Sequence, residues 1–254
     1  MVKSKLKLAV FIEGIDKYKN ILELVNRLDK NLIEVDVYSL KLFNSKYSFN
    51  LYFRRRKFLF HKIYKSYDVV IALGVDKDVI KYAINTNANL KILFSYDDKI
   101  KKYPKFNKIV REYENYTYVD EKLFKKNLPT VKVFNDNIII SCMNKEKLLD
   151  YTKDINYVFE LKQFENKDLF SYLETNYYIY LKEGVEDLDN MLKCYLLGAT
   201  IFEEEYSDII GIKTKKLNAL KSFKTKAKKV NNLSSYNKKI MNNFLDLINY
   251  KNYH

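Results

Sequence analysis

The sequence predicts an α/β protein built from parallel β-sheets with helices on both faces. The first observation is that short apolar runs, such as Leu8–Ile12 and Asp68–Gly74, alternate with stretches such as Asn20–Leu28, whose apolar residues recur at helical spacing. Apolar runs separated by helices are typical of strands that are covered on both faces. The second observation is that hydrophobic residues make up 47% of the 254 residues, which is ordinary for a globular protein and excludes a disordered chain.

Residues 1–136 contain six units of this kind, and this favours a doubly wound, Rossmann-like N-terminal domain. The predicted strands are Leu8–Ile12, Ile33–Leu40, Asp68–Gly74, Leu90–Tyr96, Tyr116–Val119 and Thr130–Phe134. The predicted helices are Asn20–Leu28, a basic helix within Phe49–Tyr67, Asp76–Ile84, Phe106–Tyr113 and Glu121–Asn127.

Residues 137–232 repeat the alternation over a shorter length and predict a second, shortened Rossmann-like domain that faces the first across a cleft. Ile138–Ser141 is either a strand or a connector. The further strands are Tyr157–Leu161, Tyr177–Leu181 and Ala199–Phe202, and the helices are Glu146–Tyr151, Lys167–Thr175 and Val185–Leu197. Residues 233–254 hold an amphipathic helix near Tyr236–Ile248, which we expect to return to the first domain.

Several classes of protein are excluded by what the sequence contains. No apolar run approaches the roughly 20 residues that cross a bilayer, and the first apolar run ends at Glu13, as expected of a buried strand rather than a signal peptide. Cys142 and Cys194 give neither a disulfide framework nor a zinc motif, so a reducing, cytoplasmic setting is expected. His61 and His254 fall outside any predicted cleft, which excludes Ser-His-Asp and Cys-His catalysis.

Four stretches resemble the GT-B glycosyltransferases, in particular the retaining group 1 or family 4 enzymes. They are Asp68-Val-Val-Ile, Lys132-Val-Phe-Asn-Asp-Asn-Ile-Ile, the run from Tyr178-Ile-Tyr-Leu-Lys-Glu-Gly-Val-Glu to Leu196-Leu-Gly-Ala-Thr-Ile, and the final helix from Ser234 to Leu247. The resemblance implies two Rossmann-like domains and transfer of a sugar from a nucleotide-sugar donor to a cell-surface glycan or glycoconjugate, with no cofactor.

The resemblance also implies where the substrates lie. Gly14 is in the acceptor-side loop, and Asp97 follows a strand at the place of a catalytic or acceptor-binding acid. The donor-binding run is similar around Glu183, Gly184 and Glu186. Lys193 stands where the family has a glutamate that binds the nucleotide ribose, and an ammonium has no acceptor for ribose hydroxyls.

Each of these acids also has a purely structural explanation. Glu183, Glu186 and Asp187 stand at a strand-to-helix junction, where ligands bind in open α/β sheets. However, acids in a first helical turn also complement the helix dipole. For Asp97, an Asx turn that starts the next helix is the favoured explanation. Asp187-Leu-Asp189 matches a metal-binding DxD pattern only by letter, because it falls inside a helix, and metal-independent transfer is therefore expected.

The net charge is 46 − 32 = +14, and its most distinctive concentration is a basic, aromatic segment. Three of the chain's five arginines are consecutive in it, and its candidate anion-binding residues are Arg54, Arg55, Arg56, Lys57, Phe58 and Lys62. Such a face suits an anionic membrane surface, which predicts peripheral attachment to the inner side of the cell membrane. It could also follow nucleic-acid phosphates or be a solvated helix face. The lysine-rich stretch Lys213–Lys229 is either a second anion site or a solvated loop.

The leading hypothesis from the sequence is thus a small, divergent GT-B glycosyltransferase. A non-catalytic GT-B-like partner or scaffold protein is the first alternative, favoured by Lys193 and by the shortened second domain. A basic nucleic-acid-binding α/β protein ranks third, on the strength of the net charge alone.

Overall fold

The computed structural model describes residues 5–14, 18–41, 47–53, 65–96, 105–128, 138–153, 159–163, 169–204, 212, 214–222 and 231–250. These residues form an α/β protein with two sheets, and every strand pairing in both sheets is parallel. The chain divides into two compact units, of which the first comprises Met1–Tyr118 and Ile240–His254 and the second comprises Val119–Lys239.

The first unit contains a six-stranded sheet in the order β3-β2-β1-β4-β5-β6. Its strands are β1 (Leu6–Ile12), β2 (Ile33–Ser39), β3 (Asn50–Phe53), β4 (Tyr67–Leu73), β5 (Ala88–Phe94) and β6 (Lys108–Val110). Its helices among the described residues are α1 (Lys19–Asn26) and α2 (Lys77–Asn85). The strands β1 and β4 are adjacent, and strand order reverses between them. Their side chains are almost entirely buried, as the apolar runs predicted.

The second unit contains a five-stranded sheet in the order β11-β10-β9-β7-β8. Its strands are β7 (Ile138–Cys142), β8 (Phe159–Gln163), β9 (Tyr177–Ile179), β10 (Thr200–Glu203) and β11 (Lys215–Lys216). Its helices are α3 (Glu121–Asn127), α4 (Lys145–Thr152), α5 (Leu169–Glu174) and α6 (Val185–Leu196), and α7 (Ser234–Leu247) begins in this unit and ends in the first. Strand order reverses between β7 and β9, so the alternative that Ile138–Ser141 is a connector is wrong and this segment is a central strand.

Three predicted elements of the first half differ from the structure. The segment from Phe49 onward begins as strand β3 rather than as a helix, and Leu51 pairs with Val37 of β2. The predicted helix Phe106–Tyr113 is instead the edge strand β6, because the β-branched pair Ile109 and Val110 continues the sheet beside β5.

The predicted strand Tyr116–Val119 lies in irregular backbone after the 3₁₀ turn Tyr113–Asn115, where the Thr117 hydroxyl donates to the carbonyl of Tyr113 at 2.7 Å. The predicted strand Thr130–Phe134 falls outside the described residues.

The structure describes residues 214–222 of the lysine-rich stretch. β11 pairs with β10, and the 3₁₀ segment Leu217–Ser222 places Leu220 in the core of the second unit with 1% of its surface exposed. This part of the stretch is therefore not a solvated loop. The other lysines beyond residue 222 lie outside the described residues.

Candidate functional site

The site is built at the carboxyl ends of β7 and β9, where strand order reverses in the second sheet. In open parallel sheets this reversal leaves a crevice, and ligands bind there. The loops after the two strands lead directly into α4 and α6, so the N-termini of both helices point toward the same edge. We call residues 143–147 and 180–187 together the second-unit edge.

Helix α4 begins at this edge because Asn144 caps it. The Asn144 Oδ1 accepts hydrogen bonds from the backbone N–H groups of Glu146, at 3.1 Å, and Lys147, at 3.2 Å. Asparagine is among the best residues at this position, since its side chain satisfies N–H groups that have no partner within the helix. The cap fixes Lys147 in the first turn of α4, with its side chain 48% exposed.

The loop from β9 to α6 is organised by the buried carboxylate of Asp187. Its Oδ1 accepts from the Tyr178 hydroxyl at 2.7 Å, and its Oδ2 accepts from the backbone N–H of Leu181 at 2.9 Å and of Glu183 at 3.1 Å. Burial raises the pKa of Asp187, and these hydrogen bonds only partly offset the effect. The role of Asp187 is therefore to hold the loop, with both oxygens directed inward.

Backbone conformation in this loop is unusual at two positions. Lys182 has a φ of 61°, which costs a residue with a side chain about 1–2 kcal/mol. Gly184, the N-cap of α6, has φ 93° and ψ −170°, a region that in practice only glycine occupies. Among the residues that the structure describes, none comes within 4 Å of the position of a Cβ at Gly184, so glycine is needed for the backbone angle and not for space. There is thus open volume beside Gly184 at the start of α6.

Two lysines at the second-unit edge are bound to acids. Lys147 lies 2.8 Å from Glu183, and this hydrogen bond raises the pKa of Lys147. Lys182 lies 3.7 Å from Glu203, which is buried at the end of β10. Of the predicted donor-binding residues, Glu183, Gly184 and Glu186 thus all belong to this edge, and Glu186 is exposed in the first turn of α6.

The fourth predicted donor-binding residue, Lys193, lies in a different environment. It is eight residues beyond Val185, which places it about 12 Å along α6 from the helix start. Its Nζ pairs with Asp189 and lies 5.5 Å from the ring centre of Phe124 and 5.6 Å from that of Tyr172. Lys193 thereby joins α3 and α5 to α6 through cation–π contacts.

The corresponding reversal in the first sheet, between β1 and β4, is filled by aromatic side chains. The Tyr18 ring lies 3.3 Å from the position a Cβ would take on Gly74, and it stacks on Tyr96 with ring centres 5.1 Å apart. The predicted acceptor-side residue Gly14 follows β1, and a Cβ there would make an ordinary 3.6 Å contact with Lys41. We find at this edge a packed aromatic cluster, whereas the second-unit edge has open volume beside Gly184.

The remaining predicted site residues lie outside the part of the chain that the structure describes. These are Asp97 and the basic residues Arg54, Arg55, Arg56, Lys57, Phe58 and Lys62. In the described ranges, no helix has both the length and the apolar character needed to span a membrane. The same ranges contain no group of three or more His, Cys, Asp and Glu side chains that could hold a metal ion.

Sequence reasoning missed Lys147 and Lys182 as members of the site. The pattern Asn144-Lys-Glu gives a signal for a helix start, but nothing local links it to Glu183, which is 36 residues away along the chain. Only the adjacency of β7 and β9 brings them together.

No protein-family model matches this chain, and a search of curated proteins found no relative with significant sequence similarity. Its function therefore has to be inferred from the residues at the second-unit edge and from the sequence motifs.

Proposed function

We propose that this protein is a glycosyltransferase that binds the diphosphate of a nucleotide-sugar at the second-unit edge and transfers the sugar to a cell-surface glycan or glycoconjugate. The observation that carries the proposal is the position of Lys147 and Lys182. Both are half-exposed lysines beside the N-terminus of α6, at the point where strand order reverses.

A diphosphate suits this edge for electrostatic reasons. The N-terminus of a helix carries a partial positive charge, and α4 and α6 both begin here. The open space at the Cβ position of Gly184 leaves room for a phosphate beside the start of α6. The two lysines supply full positive charges that would neutralise the phosphates without a metal ion.

The ion pair between Lys147 and Glu183 does not prevent this binding. Lys147 and Glu183 are 48% and 36% exposed, and pairs in such positions are weak because water competes for both groups. A diphosphate can displace Glu183 from Lys147, and the released carboxylate is then available to accept hydrogen bonds from sugar hydroxyls. Glu183 and Glu186 keep the donor-binding role that the resemblance gives them.

Calorimetric titration of the full chain with UDP, GDP, CDP and their sugars tests this proposal. We expect one nucleotide to bind saturably and Lys147→Gln to weaken its binding roughly fivefold or more, the usual effect of losing a charge-assisted phosphate contact. Lys193→Gln is the matched control, because it removes the same charge from the same unit without touching the edge. The proposal is wrong if no nucleotide binds, or if Lys147→Gln and Lys193→Gln bind equally well.

A second candidate function is that of a non-catalytic partner protein with this fold. Two observations favour it. Both carboxylate oxygens of Asp187 accept hydrogen bonds inside the loop and so face away from a ligand. Lys193, which stands in the sequence where the family has a ribose-binding acid, makes cation–π contacts and an ion pair with Asp189 instead. This candidate predicts that none of the nucleotides binds and that mutations at the edge change only stability.

The membrane part of the proposal depends on the basic segment of the sequence. We propose that Arg54, Arg55 and Arg56 attach the protein to an anionic membrane surface where a lipid-linked acceptor is located. Changing all three to Glu should abolish flotation with vesicles containing anionic lipid. Unchanged flotation would reject this role, and binding to DNA or RNA that weakens steeply with salt would favour the nucleic-acid alternative.

A further inference from the structure

A pocket of about 210 Å³ lies in the first unit, between the end of α1 and the starts of β2 and β3. Its walls include Leu28 near α1, Ile33 and Val35 of β2, and Phe49 just before β3. In β2, Val35 is four residues before the carboxyl end at Ser39, which corresponds to about 13 Å along the strand. The pocket is thus separate from the edge where strand order reverses in this sheet.

Val35 in the wall of the pocket is only partly buried, although the alternate residues Ile33 and Val37 of the same strand are buried. Apolar side chains thus form one part of the wall, and the polar residues Asn26, Ser48 and Asn50 form another.

The size and walls of the pocket suit one ring. An apolar cavity of about 150 Å³ in another protein binds benzene, so a volume of about 210 Å³ can hold a six-membered ring with one small substituent. Phe49, which stacks on Tyr47 with ring centres 5.0 Å apart, gives the pocket an aromatic wall whose orientation is held by that stacking.

The neutral polar side chains of the wall are held in place by hydrogen bonds. The Asn26 Oδ1 accepts from both the backbone N–H and the hydroxyl of Ser48, each at 2.8 Å, and the Asn50 side chain donates to Asp36 at 3.0 Å. These bonds fix the polar side of the pocket, and the charged residues of the wall give it a preference for one sign of ligand charge.

The charge at the pocket is positive. Lys5 and Lys30 line it, and the Lys5 ammonium donates one hydrogen bond, to the Lys30 carbonyl at 2.8 Å, which leaves other N–H donors on the same nitrogen. The acidic lining residue Glu34 is paired with Lys65 at 2.6 Å and so adds little negative charge.

We propose that this pocket binds a small organic anion built on a single apolar ring. The ring lies among Val35, Ile33 and Phe49, and its carboxylate or phosphate is held by Lys5 and Lys30. This site is separate from the second-unit edge, because it lies in the other unit of the chain.

Titration of the full chain with 4-fluorobenzoate, followed by ¹⁹F NMR, tests this inference, with phenyl phosphate as the phosphate counterpart. Fluorobenzyl alcohol lacks the charge, and inorganic phosphate lacks the ring. We expect both ring-bearing anions to bind saturably, and each of the two controls to bind at least about fivefold more weakly. Binding of the anions should also weaken as salt is raised, since exposed lysines provide the charge.

Two variants connect the binding to this pocket. Val35→Phe fills the volume and should weaken fluorobenzoate binding about tenfold or more, whereas Leu32→Phe, an exposed neighbour, should leave it unchanged. Lys30→Gln should weaken the anion and not the alcohol. Should Val35→Phe fail to fold, chemical-shift changes at the amides of Ile33, Val35 and Asn50 in the unaltered protein decide the matter. The proposal is overturned if neither anion binds saturably. It is also overturned if the anions bind but Lys30→Gln leaves their affinity unchanged and the amides of Ile33, Val35 and Asn50 do not shift.

Discussion

Removing the Asp187 carboxylate should destabilise the second unit, because this side chain organises the loop between β9 and α6. Asp187→Ala leaves three donors without their acceptor, namely the Tyr178 hydroxyl and the N–H groups of Leu181 and Glu183. Tyr178 is completely buried, so its hydroxyl cannot turn to water. The two N–H groups lie in a partly exposed loop, where water can replace the carboxylate at lower cost.

The magnitude follows from these contacts. A buried donor left unpaired costs about 1–3 kcal/mol, and the two loop donors together add about 1 kcal/mol because they are solvated. Removing a buried charge relieves its desolvation, which the raised pKa of Asp187 reflects, and this offsets part of the loss. The net change expected in the free energy of unfolding is about 2–3 kcal/mol.

Urea unfolding followed by circular dichroism measures this change, and a double-mutant cycle with Tyr178→Phe isolates the hydroxyl. Because the two units can unfold separately, hydrogen exchange of peptides covering residues 178–187 assigns the effect to this loop. We expect the amides of Leu181 and Glu183 to exchange faster in Asp187→Ala, and Tyr178→Phe to cost less in that variant than in the original protein. An unfolding free energy within about 0.5 kcal/mol of the original, with unchanged amide exchange, would refute this reasoning.

Three further predictions concern backbone angle, pH and thiol reactivity. Gly184→Ala should lower the free energy of unfolding by roughly 1–3 kcal/mol because of its backbone angle, although no described atom lies within 4 Å of the new Cβ. Gly14→Ala should change that free energy by less than about 0.5 kcal/mol, and thermal melts of the two variants measure the difference. Burial alone would raise the pKa of Asp36, but hydrogen bonds from Lys65 and other neighbours outweigh it and hold the pKa below 3.8. The stabilisation of the folded protein that comes from this lowered pKa is therefore complete above pH 3.8, and it is lost as the pH falls through the lower pKa of the folded state. In urea melts, the stability deficit of Asp36→Asn should accordingly shrink below about pH 4. A deficit that does not change with pH would contradict this prediction. Burial raises the pKa of Cys142 to about 12, so it and the buried Cys194 should react with a thiol reagent at pH 8 only after denaturation, and rapid labelling of the folded protein would contradict this.

Much of the fold could be predicted because its signals are local. The apolar runs at β1, β4 and β5 are long enough to be distinguished from helices, and α2 and α6 have apolar stripes at helical spacing. Two of the errors fall on the short edge strands β3 and β6. A strand of three or four residues shows no period of its own, and it is a strand only because a neighbouring strand offers hydrogen bonds.

The candidate site was predicted only in part. Glu183, Gly184 and Glu186 could be placed at a helix start from sequence, because a glycine between a β-rich run and a helical stripe marks the turn. The opposite roles of two neighbouring acids could not be predicted. Asp187 faces inward to the loop and Glu183 outward to Lys147, and this difference depends on the path of the loop in three dimensions.

The sequence by itself determined that strands and helices alternate, that the strands β1 and β4 are buried on both faces, and where most helices begin. The spacing of apolar residues, the capping residues and the glycines act over a few neighbouring residues, so their effects can be recognised in the sequence. Only the tertiary structure decided which strands are neighbours, that order reverses at β1/β4 and at β7/β9, and that one reversal is filled by Tyr18 while the other has open volume beside Gly184. The reason is physical: strand adjacency is set by which apolar faces pack together across the whole unit, and residues as distant as Lys147 and Glu183 meet only after that packing is complete.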